Sequence, residues 1–127
     1  MENEHTFEHI HREHQEWKIF LLKSEKKVKD FSTEIKSKVE SKIPKSKFRQ
    51  LEHLEHNLTR QRVIINDLLQ KIRKADSVMS KTGNRNHIVT NESFAHNSNL
   101  RSRMISFYRL FDDFCVECTR LKTVAKV

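Results

Sequence analysis

An all-α fold, an antiparallel up-down-up three-helix bundle with long helices, follows from three features of the sequence. Apolar residues recur at spacings of three and four along nearly the whole chain, the period of a stripe on an α-helix. The 127 residues include a single Gly and a single Pro, too few for a chain with many turns. Both fall in polar stretches between the periodic segments, where they separate helices. Length and pattern together define one helical-bundle domain, 1–127, with a modest core.

The first helix is expected over 6–41. Its stripe is Phe7, Ile10, His14, Trp17, Leu21, Ser24, Val28, Phe31 and Ile35. His14 stands where a Leu would be expected, which makes it the first candidate for a functional or specially partnered group. Ile43-Pro44-Lys45-Ser46 ends this helix: the residue before Pro is pushed out of the helical region, and Pro suits the first turn of the next helix. So short a connection returns the second helix antiparallel beside the first.

The second helix, over 45–80, carries Leu51, Leu54, Leu58, Gln61, Ile65, Leu68, Leu69, Ile72, Asp76 and Met79 on its inner stripe. Lys81-Thr82-Gly83-Asn84-Arg85-Asn86 is turn chemistry with Gly as a C-cap. Thr90 or Asn91 then caps a third helix over 91–123, with Glu92 favourably placed in its first turn. Its stripe reads His96, Leu100, Met104, Phe107, Phe111, Phe114, Cys118 and Leu121, the densest aromatic segment of the chain. Phe20, Leu22, Ile64 and Leu110 lie beside the main stripes. A homodimer or a docked partner helix would cover that additional apolar surface.

Charged residues make up 33% of the chain and apolar ones 35%; because the apolar residues are periodic, this balance is that of a bundle, not of a disordered segment. The net charge of +8 favours anionic partners without specifying nucleic acid. No apolar run approaches the roughly 18 to 20 residues of a membrane span. The acidic start, Met1-Glu2-Asn3-Glu4-His5, lacks the apolar core of a signal peptide. Cys115 and Cys118, three apart on one helix, fit a reduced, cytoplasmic protein.

The hairpin geometry predicts which residues lie level. The first turn places position i of the first helix opposite roughly 89 − i of the second, and the next loop relates the second and third helices by a sum of about 171, for a uniform helical rise. His14 then lies level with Asp76, and Asp76 with Ala95 or His96. Three inward polar residues converge near one end, with Glu13 and Glu92 flanking and His11 at the rim. A hydrogen-bonded network that fixes helix register explains such a layer fully, because buried polar groups need partners. The alternative is a divalent site, with His14, Asp76, His96, Glu13, Glu92 and His11 as candidate ligands for Zn, Fe or Mn.

Glu8-x-x-His11 is similar to the carboxylate–histidine pair of ferritin-like di-iron bundles, and Glu92-x-x-x-His96 is distantly similar to hemerythrin-like helices. Ferritin-like sites use two such pairs and further glutamates on four helices, whereas this chain offers three. Phe7-Glu8-His9-Ile10-His11-Arg12-Glu13-His14-Gln15-x-Trp17, Glu52-His53-Leu54 with Gln61, and His96-x-x-x-Leu100-Arg101 resemble small, uncharacterised helical-bundle proteins of the Bacteroidetes type. That resemblance spans most of the chain; it implies the bundle and no activity.

Other constellations carry less chemistry. Cys115 and Cys118 lie level with His53 and His56, but at 100° per residue these histidines point away from the Leu54–Leu58 face. A slim bundle offers no cleft for a cysteine nucleophile, and one Gly cannot build a phosphate-cradling loop. No enzyme is expected. Lys36, Lys38, Lys42, Lys45, Lys47 and Arg49 gather around the first turn, with Arg120, Lys122 and Lys126 at the same end; such a patch could hold nucleic-acid phosphates, although it lacks interleaved aromatics. The leading expectation is a non-enzymatic scaffold or interaction protein, partnered by itself as a homodimer or by another helix. Metal binding or sensing through the polar layer, and nucleic-acid association through the basic end, are the alternatives.

Overall fold

The computed structural model describes residues 6–40, 45–81 and 91–124, with side chains described for 6–37, 46–79 and 91–120. They form three α-helices, α1 (Phe7–Glu40), α2 (Lys45–Lys81) and α3 (Asn91–Val124), with no strand among the described helices. Each bound lies within a residue of the one expected. Residues 41–44 and 82–90, which include Pro44, Gly83 and Thr90, lie outside the described residues.

Thr6 starts α1 by capping it. Its Oγ1 accepts from His9 N at 3.2 Å, which satisfies one orphan donor of the first turn, and its carbonyl takes the first i→i−4 bond, from Ile10 N at 3.2 Å. Inside the helices, Ser24, Thr33, Thr59 and Thr119 donate back to the carbonyl four residues earlier, which removes their competition with the backbone.

The beginning of α1 meets the end of α2 and the beginning of α3, through His14, Asp76 and Asn97, so adjacent helices run antiparallel. The long core runs through Trp17, Leu21, Val28, Leu58, Ile65 and Leu69, closed by the α3 aromatics. Phe20 packs edge-on against Tyr108 at 4.4 Å and against Phe107 at 6.0 Å, and Phe31 meets Phe114 at 90°. These edge-to-face contacts match the ring quadrupoles and add specificity to the buried area. A smaller cluster of Ile10 and Met79, with Phe7 against it, seals the end beyond the polar layer.

Five stripe positions depart from the sequence reading. Phe7, Phe31 and Gln61 are half-buried, His96 is exposed, and Ala75, not Asp76, takes the fully inward position on α2. The helix period of 3.6 forces a stripe to alternate between neighbouring positions, and at its edge a long polar side chain leans towards solvent. The packing is also uneven: α1 lies closely along α2, whereas α3 touches both more sparsely. Phe20 is absorbed into the core, but Leu22, Ile64 and Leu110 stay exposed. No described helix is long and apolar enough to cross a membrane.

Candidate functional site: a polar layer across three helices

The site is built from the first turns of α1 and α3 and the last turns of α2. His14, on the inner stripe of α1, is fully buried, with 0% of its surface exposed. Its Nδ1 is hydrogen-bonded to Asp76 Oδ1, and its Nε2 lies 2.7 Å from Asn97 Oδ1. Trp17 lies one turn further along α1, its ring centroid 5.4 Å from the imidazole, and adds an apolar wall.

Both ends of this chain of contacts are tied down. Lys18 Nζ donates to Asp76 Oδ2 at 2.9 Å, and His11 Nδ1 approaches Oδ1 at 3.9 Å. At the other end Asn97 Nδ2 donates to Glu13 Oε1 at 3.0 Å. Glu13 also takes a forked pair of bonds from Arg101, both at 2.7 Å, the geometry for which a guanidinium is preorganised. His9 stands 3.6 Å from the same carboxylate. The order is thus Lys18–Asp76–His14–Asn97–Glu13–Arg101, passing from α1 to α2, back to α1, on to α3, and again to α1 and α3.

This order dictates where the protons lie. Asn97 must turn its NH2 towards Glu13, because a carbonyl there would face a carboxylate. Its carbonyl oxygen therefore faces His14 Nε2, while Asp76 accepts at Nδ1. The buried ring thus meets an oxygen acceptor at each of its two nitrogens, the Asp76 carboxylate at Nδ1 and the Asn97 carbonyl at Nε2. Burial opposes ionisation of Asp76 most strongly, but the bonds from His14 and Lys18 together outweigh it and leave the carboxyl below its ordinary range. Glu13 follows the same pattern: burial raises it, and Arg101 and Asn97 bring it below the ordinary value.

Of the residues expected in this layer, His14, Asp76 and Glu13 are brought together and His11 stands at the rim. His96 and Glu92 are not part of it: both are exposed on α3, and Asn97 takes the inward place assigned to His96. The amide suits the place, since its oxygen lies against the imidazole Nε2 while its NH2 donates to the Glu13 carboxylate. Asn97 could have been found as the residue three before Leu100, one of the two helical spacings. Arg101 and Lys18, which complete the charge pairing, stand next to stripe positions and carry no signal of their own. Among the described residues no three His, Cys, Asp or Glu side chains are grouped as a metal site requires.

The remaining candidates lie apart. Cys118 is buried, its thiol pushed up to about 12 by burial, and Cys115 is half-buried and likewise raised by burial. His53 and His56 are exposed. At the basic end Lys36 and Arg49 are exposed and Lys47 is half-buried, while the side chains of Lys38, Lys42 and Lys45 lie outside the described residues. Compared with models of known families, with curated proteins and with solved structures, the chain matches none.

Proposed function

We propose that this protein is a non-enzymatic scaffold or interaction protein, a three-helix rod whose polar layer fixes the stagger of the helices and whose outer faces meet a partner. The observation that carries this reading is the closure of the layer. Each carboxylate is engaged by a cation, and both nitrogens of the buried imidazole are occupied. A site that works on a substrate or a metal needs an open position or a group poised near neutrality, and closure argues against both.

Register is what such a layer supplies. Sliding one helix by a turn still pairs Leu with Leu, but it strands the buried His14 and Asn97 without hydrogen-bond partners, which is far more costly. The bundle belongs in the cytoplasm on this reading, where Cys115 and Cys118 stay reduced.

Elemental analysis of the untagged protein and of its His14→Leu variant tests the proposal. Protein without stoichiometric Zn, Fe or Mn, and a variant changed only in stability and helix stagger, are the expected results. Stoichiometric metal that disappears in the variant would make the layer a metal centre and overturn the reading.

A further inference from the structure

Because α3 packs sparsely, a long groove stays open between α2 and α3. Its lower half is lined by Val63, Ile64 and Leu68 of α2 and by Ser102, Phe107 and Leu110 of α3. Its upper half runs past Ala75 and Val78 to Ala95 and Asn97. Asn99 and Arg103 line both halves, so the two are continuous. The apolar side chains here are large and open to solvent: Val63 is 65% exposed, Leu110 57% and Val78 45%. On the α3 side Ala95, Asn99, Ser102 and Ser106 follow at spacings of four, three and four, a low wall that lets another helix approach closely.

Charge decides what fits. Lys71, Lys74 and Arg103 line the groove against Asp67 and Glu92. Asp67 is already held by Lys71 at 2.8 Å, and Arg103 lies along α3, donating to Asn99 at 3.0 Å. The whole chain carries +8, so a second copy would bring like charge to this face. We infer that the α2–α3 groove receives an amphipathic helix of a different protein, one with an apolar stripe flanked by acidic residues. The stripe would cover Val63, Ile64, Val78 and Leu110, and the acids would meet Lys74 and Arg103. This inference rests on the scaffold reading, yet the two fail separately. Metal in the polar layer would end that reading with the groove untouched, and a silent groove would end this one with the layer intact.

The test is a ¹⁵N NMR titration of the full chain with two synthetic three-heptad peptides, both with Leu at the inward positions, one flanked by Glu and the other by Lys. The Glu peptide should move the amides of Ile64, Asn99, Ser102 and Leu110 and bind at least about tenfold more tightly than the Lys peptide, as charge complementarity requires. A Lys74→Glu, Arg103→Glu variant, altered only at exposed positions and checked for helix content, should reverse the preference. Three results would each overturn the inference: no movement of groove amides with either peptide, equal binding of both, or a dimer of the chain alone that buries this groove in sedimentation and intermolecular NOE measurements.

Discussion

Asn97 accepts from His14 Nε2 at 2.7 Å and donates to Glu13 at 3.0 Å, so one amide couples the buried imidazole to the Glu13–Arg101 pair. Nothing else in the layer can do both. Asn97→Leu keeps the volume but leaves the buried Nε2 proton without an acceptor and removes a donor from Glu13. The expected cost is about 1–3 kcal/mol, the penalty for an unsatisfied buried group, read as a lower urea midpoint at unchanged slope.

His14→Ala goes further, since it removes the shared partner of α2 and α3 and opens a cavity. A loss of roughly 3–5 kcal/mol is expected, as when one member of a buried pair is deleted. Replacing His14, Asp76 and Asn97 together with Leu should cost far less, because no buried polar group is then left without a partner and the partly exposed Lys18 can turn to solvent; exchanges of buried ionic groups for packed apolar ones are often neutral or stabilising. Urea unfolding of the two variants side by side checks the contrast.

Acid should loosen this end first. Glu13 and Asp76 both titrate below their ordinary values in the folded chain. The unfolded chain therefore takes up protons at higher pH than the folded one does. The stability they contribute is complete above the ordinary carboxylate range and is lost as pH falls through about 4 and below. Urea midpoints should hold steady down to about pH 5 and then drop. Asp76→Asn should flatten that drop while lowering stability at neutral pH.

The architecture was legible because its signals are redundant. Each helix repeats its stripe over many turns, and the single Pro and single Gly fall in the sequence between the periodic segments. The pairing of His14 with Asp76 was legible too, because a short hairpin makes level positions a matter of counting. What failed was rotation on α3. Before Leu100 the stripe is too sparse to decide between His96 at a spacing of four and Asn97 at three. The layer wanted a group with both a donor and an acceptor. Lys18 and Arg101 were invisible for another reason: a long cationic side chain reaches a partner from a position that pattern alone assigns to solvent.

The cysteines should be chemically quiet. Burial lifts the Cys118 thiol to about 12 and raises that of Cys115. Near pH 8 Cys118 should react with an alkylating reagent only when the chain unfolds, and Cys115 slowly in the folded state, as mass spectrometry of labelled protein would show. Rapid labelling of Cys118 under native conditions would mean that α3 detaches.

Helix register in the apolar triple variant tests the central claim most directly. Spin labels at exposed Glu16 and Glu55, on a background with both cysteines replaced by Ala, report the stagger of α1 against α2 as a distance. The wild-type layer should give one narrow distance. With His14, Asp76 and Asn97 all changed to Leu, the chain should stay helical, but the distance should broaden or split, with components displaced by about 5.4 Å, one helical turn. An unchanged single distance in that variant would show that the apolar stripes alone hold the register, and would contradict the role assigned to the polar layer.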